Sequence, residues 1–319
     1  MHKRFVNHCT LDLAISPCGP ILIKSGKEGA DPTKPDMEFV ETYHQGGRSI
    51  YLPGSSLKGA IRAHAERIVR TVGSDKPSSN RIWANDPLND KREYLSNKSS
   101  SEIYKLSCFT DQMFGSTEIA SRVRIEDAYP IDRTQLKIEE RNGVAIDRVF
   151  GSVAVGPFNY QVCTAGEFKT KIHLKNFTLA QLGLMGLVLR DLNDGWFGLG
   201  FAKSRGMGTV TVQFNSATVQ YPGCVLENDQ IRAIASNQQE IASNQPWSNT
   251  VLLGVGEFLE NAEAEKYGFP KPDHQETPVA ATAMPLGFGV QLTWTGQTQV
   301  EDLFQRSVKA WSRVLGVAA

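Results

Sequence analysis

The order of segments predicts an α+β protein. Short alternating stretches with a period of two are interleaved with two segments of helical period, and turn residues separate them. The sequence is also too apolar, at 40% hydrophobic residues, and too evenly charged for a disordered or fibrous chain. Its 319 residues fit one large domain or two small ones.

Residues 5–24 read as a strand, a turn at Ser16-Pro17-Cys18-Gly19-Pro20, and a short second strand at Ile21-Leu22-Ile23. Residues 25–48 read as a long polar loop with a strand candidate at 38–43, and Ile50-Tyr51-Leu52 as a strand ending at Pro53-Gly54. A helix then runs to about residue 72, with Leu57, Ile61, Ala65, Ile68 and Val69 at helical spacing and Ser55 or Ser56 as its N-cap. Residues 73–105 are hydrophilic and aperiodic, which predicts a surface insertion. Residues 121–128 alternate as a strand, 131–170 form an excursion with weak strand signals, and 171–174 make another strand. Thr178 caps a Leu-rich helix that ends at Asp194-Gly195, and a strand at 209–214 follows the Gly-rich run. Residues 225–319 read as a C-terminal extension that packs on a core spanning 1–224 or on a neighbouring subunit. Within the extension, Ile231, Ile234 and Ile241 are expected on one side of a short helix. Strands are expected at 251–255 and 289–295, and a closing amphipathic helix carries Leu303, Phe304, Val308 and Trp311.

Lys plus Arg and Asp plus Glu are both 34, so the chain is neutral and any nucleic-acid binding must rest on local patches. The longest apolar stretch, 179–189, is too short to span a bilayer, and the first residues lack a secretory h-region. The five scattered cysteines include no Cys-x-x-Cys pair, which predicts reduced thiols and a cytoplasmic protein without membrane partners.

Two motifs bear chemistry. Tyr51-Leu52-Pro53-Gly54-Ser55-Ser56-Leu57-Lys58-Gly59 runs from a strand into a helix. Its free helix amides, the two hydroxyls of Ser55 and Ser56, Lys58, and Arg62 one turn on make an anion site. The second, Gly198-Leu199-Gly200-Phe201-Ala202-Lys203-Ser204-Arg205-Gly206-Met207-Gly208, is neither a Walker A loop nor a dinucleotide fingerprint. It runs from helix to strand, and no organic cofactor is implied. Glycines without Cβ permit close approach to main-chain amides, while Lys203, Ser204, Arg205 and Gly206 supply charge and donors.

Together, and at this spacing, the two motifs resemble the RAMP superfamily of CRISPR proteins, more narrowly the backbone subunit of type III effector complexes. Met113-Phe114-Gly115-Ser116 with Arg122-Val123-Arg124-Ile125-Glu126-Asp127-Ala128 is similar to the family's turn and next strand. Arg141-Asn142-Gly143-Val144-Ala145-Ile146-Asp147-Arg148 is similar to the start of its thumb hairpin. The resemblance covers roughly residues 5–215.

It implies a ferredoxin-like, RRM-related core with insertions, a thumb-like β-hairpin and a C-terminal extension. It also implies CRISPR RNA, target RNA and other effector subunits as partners. Ser55, Ser56, Lys58, Arg62, Arg148, Lys203, Ser204, Arg205 and Gly206 become candidate RNA contacts. Val144, Ile146, Val149 and Phe150 would lie near a displaced nucleotide. In cleaving members an Asp in the loop before the Pro-Gly-Ser-Ser segment is needed for metal-dependent cutting of target RNA. Here Asp36, followed by Met37-Glu38-Phe39-Val40, fits that pattern better than Asp31. Mg²⁺ or Mn²⁺ would then be weakly and transiently held by Asp36, with no fixed metal site. His44 is a lesser alternative as general base. A non-cleaving structural subunit, a metal-independent processing endoribonuclease and a stand-alone RNA binder are the rival readings.

Overall fold

The computed structural model describes residues 4–26, 35–78, 82–88, 92–234 and 246–317. In chain order the elements are β1 (His8–Pro17), β2 (Glu41–His44), β3 (Gly47–Ile50), α1 (Gly54–Val72), α2 (Ser100–Leu106), α3 (Phe109–Phe114), β4 (Val123–Ile125) and β5 (Tyr129–Pro130). Next come β6 (Lys137–Ile146), β7 (Val153–Ala165), β8 (Phe168–Lys175), α4 (Leu179–Asn193), β9 (Val210–Tyr221), β10 (Cys224–Glu227) and β11 (Gln230–Ala233). The last are β12 (Trp247–Ser248), β13 (Val251–Leu253), α5 (Asn261–Tyr267), β14 (His274–Glu276), β15 (Thr282–Ala283), β16 (Val290–Thr295) and α6 (Gln297–Val314).

The principal sheet has the order β15-β16-β9-β1-β8-β4, with β5 pairing β8 beside β4. The segment β1-α1-β4-β8-α4-β9 is a βαββαβ unit whose strands lie in the spatial order 9-1-8-4, so the core is ferredoxin-like. Alternation drives it. Cys9, Leu11, Leu13 and Ile15 of β1 are buried, while Thr10 and Asp12 of the same strand point the other way. Leu11 pairs with Ile172 and with Ala217, which places β1 at the centre. The helices α1, α4 and α6 cover one face of the sheet. The opposite face carries polar groups such as Thr10, Lys171, His173, Thr218 and Thr293.

The hairpin β6–β7 forms a two-stranded sheet of its own, joined to its surroundings by single bridges from β7 to Ile21 and Met37, and projects from the core. Ile146, Val149, Phe150 and Val155 along it are exposed.

Two expectations are corrected. Segment 73–105 is not merely a surface insertion: Trp83, Ala84, Leu95 and Tyr104 are buried, and a reciprocal Ser99–Glu102 capping box starts α2. Tyr104 joins Ile119, Val255, Leu259, Ala264 and Phe269 in a second apolar cluster. Ile231 lies in β11 rather than in a helix, and its partner Ile241 falls outside the described residues. The closing helix packs on this chain's own core, one of its two expected placements. Val300, Leu303, Phe304 and Trp311 of α6 are buried against this chain, and β16 pairs with β9, widening the sheet.

The α4–α6 contact is a backbone approach. A Cβ added at Gly183 would lie 2.6 Å from the Ser307 carbonyl oxygen, and one at Gly186 2.6 Å from the Phe304 ring. Gly183→Ala should therefore destabilise the chain by about 1–3 kcal/mol, the cost of overpacking. Helix propensity alone gives the opposite sign, a gain of about 1 kcal/mol, so urea unfolding separates the two.

The start of α4 is held by a buried acid. Asp273 Oδ1 accepts from the Leu179 amide at 3.0 Å and Oδ2 from the Gly256 amide at 3.2 Å. Burial pushes this carboxyl up to about 7, against the two amides, which favour its charged form. From the ordinary value near 3.8 up to 7 the folded chain binds more proton than the unfolded one, so this group's contribution to stability falls as pH rises through that window. The stability difference between wild type and Asp273→Asn, measured by urea melts at pH 4.5 and 7.5, should shrink at the higher pH.

Candidate functional site

The site is assembled by the short segment that follows the first turn. Ile21, Leu22 and Ile23 are buried, and from Pro20 onward the backbone positions between them hold three separate segments. The Pro20 carbonyl accepts from Gly208 N at 2.9 Å, and Leu22 O accepts from Phe201 N at 2.7 Å. Ile21 exchanges two backbone bonds with Cys163 of β7, at 2.9 and 2.8 Å. Ile23 O accepts from Val40 N at 2.9 Å. The Gly-rich loop, the root of the hairpin and the loop carrying Asp36 are thereby anchored on one four-residue segment.

The Gly-rich loop closes on itself through Leu199 N to Gly208 O at 2.9 Å. Gly200 and Gly208 have φ of +78° and +87°, and a Cβ at either would lie 2.2 Å from a backbone oxygen, that of Leu22 or of Leu199. These glycines serve close approaches of the chain's own backbone. Gly206, at φ +79°, faces open space. Between them Lys203, Ser204 and Arg205 form an exposed one-turn helix, entered through Ala202 in the left-handed region. The Arg205 guanidinium lies 5.0 Å from the centre of the Phe201 ring, which fixes the loop's direction without neutralising the charge.

Asp36 is exposed, and its Oδ2 accepts from the Asn159 amide of β7 at 2.8 Å. Met37 bonds both ways with the same strand, its amide to Asn159 O at 3.2 Å and its carbonyl from Gln161 N at 3.0 Å. The Gln161 side chain accepts from Phe39 N at 3.2 Å. One residue along, Tyr160 meets Phe201 edge-on with ring centres 6.4 Å apart. Asp36 and the Lys203–Arg205 turn thus flank the base of the hairpin. Asp31 lies outside the described residues.

The helix motif behaves differently. The helix begins at Gly54, so Ser55 and Ser56 lie within its first turn rather than capping it. The Gly54 amide donates to Asp127 Oδ1 at 2.8 Å, so a carboxylate of this chain holds a position expected for phosphate. Ser55 is exposed. Lys58 Nζ donates to Ser121 Oγ at 2.9 Å, and burial, reinforced by Arg62 nearby, draws its ammonium below the usual lysine range.

Arg62 is taken up within the chain. It donates to Asp111 at 2.7 Å, to Glu66 at 2.8 Å and to the Gly115 carbonyl at 2.8 Å. Asp111 is buried, and burial raises its carboxyl pKa while Arg92 and Arg62 oppose the shift. The structure therefore gives Arg62 the work of an internal tether, in place of the expected phosphate contact. Arg148 sits at the hairpin tip, in a turn organised by Asp147, which accepts from Val149 N and Phe150 N at 2.8 Å each. From Asn159 back to the tip the strand rises roughly 20 Å at ~3.3 Å per residue, so Arg148 is not brought to the Arg205 loop.

Sequence reasoning missed Asn159, Tyr160, Gln161 and Asp127, which hold the loops in place. Only the apolar run Ile21-Leu22-Ile23 signalled a strand where the anchor lies. Among the described residues no group of three or more His, Cys, Asp or Glu converges on a metal site, and no helix is long and apolar enough to cross a membrane.

The architecture is that of a ferredoxin-like protein with a projecting hairpin and two loops gathered at its base. A family model described as the RAMP superfamily matches residues 15–211, well over half of the chain, and the protein belongs to that superfamily. Membership supports a CRISPR-associated, RNA-binding role. No curated protein matches the chain. The match ends inside β9, so β16 and α6 lie beyond it although they complete the sheet and its helical cover.

Two arginines of the motifs should separate cleanly. Arg205→Glu should leave thermal unfolding unchanged, weaken RNA binding regardless of sequence, and lower the salt slope of binding by roughly 1. Arg62→Gln should cost about 1.5–3 kcal/mol of stability, the loss of charged hydrogen bonds to a buried acid. Fluorescence anisotropy and urea melts read the two effects.

Proposed function

We propose that the chain is a CRISPR RNA-binding backbone subunit of a type III effector complex and that it cleaves guide-paired target RNA through Asp36. The observation that carries this reading is the hydrogen bond that holds the exposed Asp36 carboxylate on the root of the hairpin. The cationic Lys203–Arg205 turn lies beside the same strand, linked through Tyr160 and Phe201. A duplex gripped by that turn and crossed by the hairpin presents its backbone to Asp36. Contacts of this kind position RNA without reading sequence, which is left to pairing with the guide.

The chemistry follows from the carboxylate. A ribose 2′-hydroxyl attacks the adjacent phosphorus as its proton passes to a base, the bond to the 5′-oxygen breaks, and that oxygen takes a proton from water. Asp36 orients or deprotonates the hydroxyl. One Asp36 oxygen is engaged by Asn159, and among the described residues the other has no partner, so it suits a hydrated cation that phosphate oxygens complete. A bound Mg²⁺ or Mn²⁺ would supply positive charge to the phosphate.

In the assembled complex, Asp36→Asn should reduce target cutting at this subunit's position by at least ~100-fold while guide binding and assembly persist. EDTA should do the same to the wild type. Cutting that survives both treatments argues for a metal-independent processing nuclease. A wild-type complex that does not cut argues for a structural subunit.

A further inference from the structure

A second surface, away from Asp36 and the Gly-rich loop, has the composition of a nucleotide site. The turn of the β2–β3 hairpin overhangs the outer face of β4, β5 and β8 and leaves a cleft of about 770 Å³. His44 and Tyr129 line it, and together with Tyr51, outside the lining, they form an aromatic ladder. His44 stacks on Tyr129 with ring centres 3.6 Å apart and planes 5° from parallel, and Tyr51 follows at 5.8 Å and 16°. The three rings are only half-buried. A parallel ladder at a solvent-open cleft offers the flat surface on which unpaired bases stack, whereas aromatic rings that close a protein core are sealed from water.

The charges around the ladder are sorted. Asp127 is committed on both oxygens, to the Gly54 amide at 2.8 Å and to the Tyr129 hydroxyl at 3.3 Å. This bond ties the ladder to the first turn of α1, where Ser55 is exposed. Glu126 is held by Arg124 at 3.1 Å and His173 at 2.9 Å, and Lys169 lies 3.3 Å from Asp12. Lys171 also lines the cleft, is exposed, and among the described residues has no ion-pair partner. The carboxylates are neutralised internally, and the charge left over is a cation. That balance favours a phosphate over a cationic or acidic peptide side chain.

We propose that this cleft binds single-stranded RNA, one base stacking on the His44–Tyr129–Tyr51 ladder while Lys171 holds the adjoining phosphate. The proposal rests on the RNA-binding role of the chain and is independent of cleavage by Asp36.

The test uses the full chain and a single-stranded RNA oligonucleotide carrying 4-thiouridine. Photocrosslinks should map to His44 or Tyr129. His44→Ala should weaken binding of the oligonucleotide roughly tenfold, the usual loss of a stacking platform. It should change binding of a blunt RNA duplex, whose bases are already stacked, far less. Lys171→Glu should weaken both and lower the salt slope. Because the two substitutions sit on different elements, and both variants are checked for wild-type melting, a folding defect cannot stand in for either result. Wild-type affinity in both variants, with crosslinks confined to the Lys203–Arg205 turn and the hairpin, overturns the proposal. So does unchanged RNA affinity with loss of entry into a complex, which makes the cleft a protein contact. A wild-type chain that binds no RNA removes the RNA-binding role itself, a result distinct from either.

Discussion

Four consecutive residues, from Pro20 to Ile23, carry the functional end of this protein on their backbone hydrogen bonds. Successive residues of an extended segment present their bonding groups to opposite edges. Ile21 pairs with Cys163 of the hairpin strand, while Pro20 and Leu22 accept from Gly208 and Phe201 of the Gly-rich loop. Ile21, Leu22 and Ile23 are buried, so their bonds have little water to compete with them, and leaving one unmade would orphan a buried polar group. The hairpin, the cationic turn and the Asp36 loop are distant in sequence but are held together because they share this support.

That constraint explains the glycines better than ligand binding does. Two of them let the chain's own carbonyls pass within a distance that a Cβ forbids, and a short cationic turn is left standing out between them. The neutral net charge is consistent with this economy. Positive charge stands exposed at positions such as Lys203, Arg205 and Lys171 and is cancelled internally at others, as at Arg62 with Asp111 and Glu66. Arg62 and Arg205 are the same residue type within motifs of similar appearance. They differ because a buried carboxylate faces one and an aromatic ring the other.

The C-terminal residues solve a packing problem of the ferredoxin-like core. The helix α4 is apolar nearly all round, with Leu182, Leu184, Met185, Val188 and Leu189 buried, and the sheet with α1 cannot cover all of these faces. The helix α6 covers the remainder, approaching closely enough to require Gly183 and Gly186, and β16 extends the sheet beneath it.

By itself the sequence determined what short-range physics encodes. Alternation marked β1, β4, β8 and β16. A Leu-rich run and the Thr178 cap marked α4, and the charged turn at Lys203–Arg205 and the acidic loop at Asp36 were legible as candidate chemistry. The excess length of segment 131–170 announced an excursion, although not that its return strand would pair with the Asp36 loop. The tertiary structure decided everything that depends on partners far along the chain. Asp127 occupies the Gly54 amide, Asp111 engages Arg62, Asn159 holds Asp36, and Tyr129 gathers His44 and Tyr51 into a ladder. A side chain's charge can be read from its letter, but whether that charge faces water or a buried counter-ion depends on which distant residue the fold sets opposite it, and no local pattern carries that information.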